Sequence, residues 1–208
     1  MTGKSRERGR PREFDIDQAL DRAIETFWRH GYEGTSLNDL TEAIGINRPS
    51  LYAAFGNKEE LFAQAVVRYA QTDMAYANEA FGQPTAQAVI ETFLRANVDA
   101  ITRPDRPAGC LSIQGGLSCG TGNAHIADFL AANRLAGENA LATRLARGID
   151  DGDLPADTNP AALARFVMAL GEGHAVHAAA GVDRASLHES VTIALQAVPQ
   201  RPRVPASN

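Results

Sequence analysis

The chain has 208 residues, of which 44% are hydrophobic and 6% aromatic, and it carries a formal net charge of −5. This composition supports one or two hydrophobic cores and excludes a wholly disordered protein. There is no run of about 18 apolar residues that would span a bilayer, and the first residues lack the apolar segment of a secretory signal, so we expect a cytoplasmic protein without a membrane partner.

Residues 1–12 are basic, since five Lys and Arg side chains stand in the first 13 residues against only two Glu. Glycine and proline interrupt this segment, so we expect a flexible arm. Such an arm suits contacts with DNA phosphates or with a narrow minor groove, and we predict that Arg10 and Arg12 make them. The alternative is a solvated tail that only helps solubility.

The first predicted helix starts after Asp15, a suitable N-cap, and ends near Gly31, which tolerates a left-handed conformation. Its apolar residues recur at spacings of three and four, as expected for a helix with one buried face. These residues are Ile16, Leu20, Ala23, Ile24, Phe27 and Trp28.

Residues 35–58 predict two short helices joined by a tight turn. Ser36 with Asp39 three residues later forms a capping-box pattern, and Gly45 suits the left-handed turn that ends the first helix. Asn47 can cap the second helix, in which Pro49 lies in the first turn, where no intrahelical donor is lost. Two helices joined in this way are typical of a helix-turn-helix, although an ordinary helical hairpin is the alternative.

The run Gly-Ile-Asn-Arg-Pro-Ser-Leu-Tyr at residues 45–52, followed by Phe55, Asn57 and Lys58, resembles the helix-turn-helix of the TetR family of transcriptional regulators. The resemblance implies an all-α homodimer whose C-terminal domain binds a small effector. It places the second helix in the major groove, with Arg48 at a guanine edge and Tyr52 and Lys58 at phosphates. The predicted DNA contacts are Arg10, Arg12, Thr35, Ser36, Arg48, Pro49, Ser50, Tyr52 and Lys58.

Five further helical segments are predicted beyond the helix-turn-helix. One runs from Asn57 towards Phe81 and connects the two domains, and the others cover approximately residues 85–102, 124–149, 160–180 and 186–197. The Gly-rich stretch at residues 109–120 is uncharged, and we interpret it as a short, closely packed helix. We therefore predict a basic arm at 1–12, a DNA-binding domain at 13–60, an effector-binding and dimerisation domain at 61–198 and a disordered tail at 199–208.

The last two helices carry more apolar surface than a small domain needs, which favours a dimer interface, although internal packing is the alternative. The predicted interface residues are Phe166, Leu170, Leu187, Val191 and Leu195. The resemblance also implies a pocket in the C-terminal domain, and mostly apolar candidates indicate a small hydrophobic effector. The predicted lining residues are Phe93, Ile113, Leu117, Phe129, Met168 and His174.

Other chemistries have weaker support in the sequence. Cys110 and Cys119 are too far apart for a redox motif, so we expect reduced, structural thiols rather than a switch or a disulfide. Glu172, His174 and His177 do not form a complete metal site, and we expect no cofactor. A Cys/His enzyme is a remote alternative, and a closer one is a DNA-binding regulator whose C-terminal domain only dimerises.

Overall fold

The computed structural model describes residues 14–116 and 119–200, and this part of the chain is helical, without a strand. Its α-helices are α1 (Ile16–Gly34), α2 (Leu37–Ile44), α3 (Arg48–Phe55), α4 (Lys58–Gln71), α5 (Tyr76–Phe81), α6 (Ala86–Ile101), α7 (Leu111–Gln114), α8 (Ala124–Asp150), α9 (Pro160–Ala179) and α10 (Arg184–Gln196). The all-α prediction is confirmed. Within the described ranges, none of these helices is both long and apolar enough to cross a membrane.

Helices α1 to α3 form a small unit that is closed by the first half of α4. The side chain of Asp15 accepts hydrogen bonds from two backbone amides of the first turn of α1, as predicted for its cap. Gly31 leaves the helical conformation at φ +69°, and one more turn follows before Thr35. The core of the unit is made by side chains from all four helices, chiefly Ile24, Phe27, Leu40, Leu51, Phe55, Leu61 and Phe62.

Aromatic side chains join α1 to α4. The ring of Phe62 packs edge-to-face with the rings of Phe27 and Tyr32, with centroids 4.9 and 5.1 Å apart. Trp28 and Tyr69 form a third such pair at 5.0 Å. Edge-to-face pairs of this kind add to the stabilisation that burial alone provides. Helices α1 and α4 therefore behave as one packed element, which runs from the first domain into the second.

The predicted continuous helix from Asn57 to Phe81 is wrong, because α4 ends at Gln71 and α5 begins only at Tyr76. The interruption contains Asp73, whose buried carboxylate pairs with Arg106 at 3.1 Å and with Arg103 at 3.5 Å. A buried carboxylate requires such partners, and they lie on the loop after α6. The turn that brings Asp73 to both arginines takes the place of a straight helix.

The remaining helices form a bundle around α6, which packs against α5, α9 and α10, while α8 packs along α9. Four further predicted helices are confirmed, and each of their ends lies within two residues of the predicted end. They are the helices predicted at 85–102, 124–149, 160–180 and 186–197. Gly148 permits a close approach of α8 to the start of α6, because an added Cβ would lie 2.8 Å from the Ala86 methyl. The Arg144 side chain caps the C-terminal end of α5, because its Nε atom donates a hydrogen bond to the carbonyl oxygen of Phe81 at 3.0 Å.

The Gly-rich segment contains the short helix α7, wedged between the two domains. A Cβ on Gly115 would lie 2.6 Å from the Leu111 carbonyl oxygen and 3.3 Å from the ring of Phe62. A Cβ on Gly116 would lie 2.8 Å from a methyl of Leu130 on α8. Close packing therefore requires glycine at 115 and 116, and the prediction of a short, closely packed helix is confirmed for residues 111–116.

Candidate functional site

Local hydrogen bonds and backbone conformation fix both ends of α2, the second of which is the turn that leads to α3. The Ser36 hydroxyl accepts the Asp39 amide at 3.2 Å, and the Asp39 carboxylate accepts the Ser36 amide at 2.7 Å, so the predicted capping box is present. Gly45 takes the left-handed conformation at φ +80°, ψ 30°. Arg22 of α1 donates to the Ile44 carbonyl oxygen at 3.0 Å, which fixes the end of α2 against the rest of the unit.

Helix α3 buries one face and presents the other to solvent. Its buried residues are Leu51 and Phe55, and its cap is Asn47, whose side chain accepts the Ser50 amide at 2.9 Å. Its exposed residues include Arg48, Pro49 and Tyr52, whereas Ser50 is half-buried. Tyr52 is 49% exposed, so its side chain is available at the surface of α3.

Arg48 is held in place before any ligand is bound. Its guanidinium Nη2 donates to the side-chain oxygen of Asn38 on α2 at 2.8 Å. This bond uses one of the five N–H donors of the guanidinium. The remaining donors suit a planar acceptor pair such as the N7 and O6 atoms of guanine.

The structure corrects the prediction for Thr35. Its side chain is 1% exposed, and its hydroxyl donates to the Gly31 carbonyl oxygen at 2.6 Å, so it stabilises the end of α1 and is not available to a phosphate. Ser36, the alternative contact, is exposed at the N-terminus of α2. Arg10 and Arg12 lie outside the described residues.

Lys58 is the first residue of α4 and is half-buried. Its ammonium lies 4.3 Å from the centroid of the Tyr32 ring, a cation–π contact that orients the side chain. Partial burial lowers the pKa of Lys58, and the nearby carboxylate of Glu33 opposes that shift. A cation that is already partly desolvated loses less hydration when it contacts a phosphate.

A cavity of about 240 Å³ lies between the end of α4, α5, α6, α7, α8 and α9. Three of the predicted lining residues, Phe93, Ile113 and Met168, lie in its wall. Leu117 lies outside the described residues. The wall also contains Val66, Tyr69, Ala70, Met74, Tyr76, Ala77, Asn97, Cys110, Ser112, Asn133, Arg134, Gly137, Gly171, Glu172 and Ala175.

Two predicted lining residues lie elsewhere. Phe129 faces a groove on the outer surface beside Val67 and Arg68, because α8 turns that side of the helix towards α4. His174 is buried against α10, where its Nε2 atom hydrogen-bonds to the Ser190 hydroxyl. The opposite face of α9 lines the cavity, through Met168, Gly171, Glu172 and Ala175. These residues recur at helical spacing, and this periodicity is the signal that sequence reasoning missed.

Sequence reasoning also missed the polar groups of the cavity. Tyr69 donates to the sulfur of Cys110 at 3.3 Å, and the Asn97 amide donates to the Tyr76 hydroxyl at 2.9 Å. Burial raises the pKa of both tyrosines, so they are neutral donors and acceptors near pH 7. Cys110 and Cys119 are free thiols, and no group of three potential metal ligands comes together in residues 14–116 and 119–200.

Helix α7 contacts both the cavity and the first domain. Ser112 and Ile113 line the cavity, while the next side chain, Gln114, accepts a hydrogen bond from the Trp28 indole at 2.8 Å. The carbonyl oxygen of Gly115 then accepts the backbone amide of Tyr32 at 2.9 Å. A shift of α7 would therefore disturb the end of α1, which packs against the helix-turn-helix.

The predicted dimer face needs a correction. Leu187 and Val191 are 3% and 0% exposed and belong to the core of the protomer, because α10 turns them towards α6. Hydrogen bonds from Arg184 to Thr102 at 2.8 Å and between His188 and Asp99 at 3.1 Å fix that orientation. Phe166 is 42% exposed, and Leu170 and Leu195 are half-buried. The most exposed apolar side chains on α9 and α10 are those of Val176 and Ile193, at 52% and 69%.

Family models match both halves of the chain. Residues 19–65 match the model described as "Bacterial regulatory proteins, tetR family", and residues 86–194 match "Tetracyclin repressor-like, C-terminal domain". The HTH-type transcriptional repressor ComR of Escherichia coli is 35% identical over 190 residues, which cover 90% of this chain and 89% of ComR.

Solved structures agree with these matches. A cysteine mutant of the TetR-family regulator CifR, complexed with 26-base-pair double-stranded operator DNA, is 41% identical with a TM-score of 0.88, covering 91% of this chain and all of that one. A TetR regulator from Rhodococcus is 43% identical with a TM-score of 0.61, covering 88% and 98% of the two chains. The helix-turn-helix, the helical C-terminal domain and these matches together show that the chain belongs to the TetR family of transcriptional regulators, which are DNA-binding proteins and not enzymes.

Proposed function

We propose that this protein is a cytoplasmic repressor that binds a near-palindromic operator as a homodimer and leaves it when a small, largely apolar effector enters the cavity. The observation that carries this proposal is the exposed face of α3, which lies in a fold similar to that of the operator-bound CifR variant. In our proposal residues 13–60 bind DNA, and residues 61–198 bind the effector and form the dimer.

DNA reading is assigned to the exposed side of α3. Arg48 contacts a guanine edge, with Pro49 and Ser50 beside it, because a guanidinium at the start of a recognition helix matches the two acceptors of that base. Tyr52 and Lys58 contact phosphates on either side, and Ser36 adds a contact from the N-terminus of α2. In the same proposal Arg10 and Arg12 contact the neighbouring minor groove.

Substitution of Arg48 tests this assignment. Arg48→Ala should cost about 1–3 kcal/mol of binding free energy and relax the preference at one base position, whereas Lys58→Ala should weaken binding to all sequences about equally. Arg29→Ala is a matched control, since Arg29 is an exposed arginine on α1 whose side chain is 58% exposed. Fluorescence anisotropy on operator and scrambled DNA measures all three. An unchanged base preference in Arg48→Ala would show that Arg48 does not read DNA.

The homodimer is assigned to the outer faces of α9 and α10. Phe166, Val176 and Ile193 are large apolar side chains that the protomer leaves exposed on these two helices. Two such faces bury each other when the helices pair across a two-fold axis as a four-helix bundle. Each protomer then contributes one α3, so that both reading helices face the same side of the duplex.

A pair of valines provides a matched test of this interface. Val176→Glu places a charge on the proposed interface, whereas Val67→Glu places the same charge on α4, where the native side chain is 55% exposed. Analytical ultracentrifugation should find monomers for the first variant and dimers for the second. Ile193→Glu should reproduce the monomer, and dimers in both α9 and α10 variants would place the interface elsewhere.

The cavity supports the effector function over the alternative in which the C-terminal domain only dimerises. A dimerisation module has no need of a space of about 240 Å³ that reaches α7, the helix that contacts Trp28 and Tyr32. An effector that moves α7 would change the position of α1 and hence the position of α3. The coupling expected of such switches is about 1–3 kcal/mol, and by reciprocity operator DNA must weaken effector binding by the same amount.

Calorimetry of effector binding with and without operator tests the switch. The effector is first selected by a thermal-shift screen of small apolar molecules against the dimer. We expect roughly 5- to 150-fold weaker binding when operator is present. Equal affinity in the two titrations would identify the molecule as a passive ligand and the domain as a dimerisation module.

A further inference from the structure

A side chain of α2 orients the arginine to which we assign base reading. Arg48, the first residue of α3, donates from its Nη2 atom to the Oδ1 atom of Asn38 at 2.8 Å. Both side chains are exposed, and within residues 14–116 and 119–200 no carboxylate lies at ion-pair distance from Arg48. The partner of Arg48 is therefore a neutral amide, which holds the guanidinium without cancelling the positive charge that attracts DNA.

Asn38 stands on a rigid support. It lies in the first turn of α2, which begins with the capping box formed by Ser36 and Asp39. Leu40, two residues later, is fully buried and anchors α2 in the core of the unit. The hydrogen bond from Arg48 to Asn38 therefore joins the start of α3 to a part of α2 that is already fixed.

The bond leaves Arg48 able to contact a base through two donors. A guanidinium has two edges that present paired N–H groups, Nε with Nη2 and Nη1 with Nη2, and Nη2 contributes one hydrogen to each edge. Because Asn38 takes one Nη2 hydrogen, the other edge remains complete and matches the N7 and O6 acceptors of guanine. Adenine has a donor in place of O6, so a guanidinium that is fixed in orientation discriminates against it.

We infer that Asn38 is a positioning residue for base recognition, which raises the preference of Arg48 for guanine without itself contacting the base. An exposed arginine loses rotamer freedom when it docks on a base, and the bond to Asn38 removes part of that loss before DNA is bound. Contacts with non-specific DNA need no fixed orientation of Arg48, so Asn38 acts on sequence preference and not on overall affinity. The inference deepens the proposed function and rests on it, since it assumes that Arg48 faces the major groove.

Three duplexes test the role of Asn38. The first is the duplex that the wild-type protein enriches from a random pool, the second has adenine in place of the Arg48-dependent guanine in both half-sites, and the third is scrambled. Fluorescence anisotropy with the full-length protein gives the ratio of the affinities for the first two. Asn38→Ala should lower this ratio about two- to tenfold, the range expected for one immobilised side chain, and leave the affinity for scrambled DNA unchanged. In an Arg48→Ala background, Asn38→Ala should not alter the ratio.

Asn38→Asp separates positioning from other effects of the substitution. The carboxylate still accepts a hydrogen bond from Arg48, so the ratio should stay at the wild-type value or above it. The added negative charge should weaken binding to all three duplexes alike. Asn139→Ala replaces an exposed asparagine on α8 and is the matched control, which should change neither the ratio nor the overall affinity.

An unchanged or increased ratio in Asn38→Ala, or an equal loss of affinity for all three duplexes, would overturn the inference. A ratio in Asn38→Asp as low as that of Asn38→Ala would also overturn it, because the acceptor is retained in that variant. Failure of the proposed function has a different signature. The wild-type protein would then enrich no duplex, or Arg48→Ala would keep the full guanine preference, and either result would contradict both proposals.

Discussion

The hydrogen bond between Trp28 and Gln114 joins the helix-turn-helix domain to the segment that lines the cavity, and its loss has a calculable cost. Trp28 is 3% exposed, and its indole N–H donates to the Gln114 side-chain oxygen at 2.8 Å. Gln114→Met keeps the length of the side chain but leaves the N–H unpaired. Stranding a buried donor costs about 1–3 kcal/mol, so we expect the free energy of unfolding to fall by that amount.

A double-mutant cycle isolates this bond from other effects of the substitution. Trp28→Phe removes the donor, so Gln114→Met should cost much less in that background than in the wild-type protein. Urea unfolding followed by far-UV circular dichroism, at one fixed protein concentration, gives the four free energies. An equal cost of Gln114→Met in both backgrounds would show that the bond does not join the domains energetically.

Three further predictions concern the first domain. The Arg68 guanidinium, hydrogen-bonded to Asp21 at 2.7 Å, lowers the pKa of the Asp21 carboxyl. The stabilisation from this pair is therefore complete above the ordinary aspartate pKa and is lost as the pH falls through the lowered value. Asp21→Asn should flatten the acid side of a plot of urea-unfolding free energy against pH, and an unchanged plot would refute this. Gly45→Ala forces a side chain into a left-handed turn and should cost about 1–2 kcal/mol by urea unfolding. Thr35→Val should lower the melting temperature but leave the operator affinity of the folded dimer unchanged in anisotropy titrations; reduced affinity would restore Thr35 as a DNA contact.

The helix-turn-helix could be predicted from sequence because its signals are local. A cap, a left-handed glycine and a periodic apolar face act within a few residues, as at Ser36, Gly45 and Asn47, and the structure contains each of them. Helices α6, α9 and α10 follow from the same kind of signal, because Thr85, Asn159 and Asp183 cap their first turns.

The errors have their origin in contacts between distant segments. The break after α4 depends on Asp73 meeting Arg106, 33 positions away in the sequence, which no local pattern indicates. Leu187 and Val191 have the same apolar character as Ile193, and only the packing of α10 on α6 decides which of them is buried. The polar side of the cavity, including Asn97, was missed because an isolated amide in an apolar helix becomes informative only when its neighbours in space are known.

Selection of bound sequences from a pool of random duplex DNA tests the central claim most directly. The account predicts an enriched near-palindrome with half-sites about one helical turn apart or somewhat more, in which Arg48→Ala loses preference at one symmetry-related guanine position. The basis of that prediction is the exposed face of α3, with Arg48 held by Asn38. An enriched site without two-fold symmetry, or a pool that the protein leaves unselected, would contradict it.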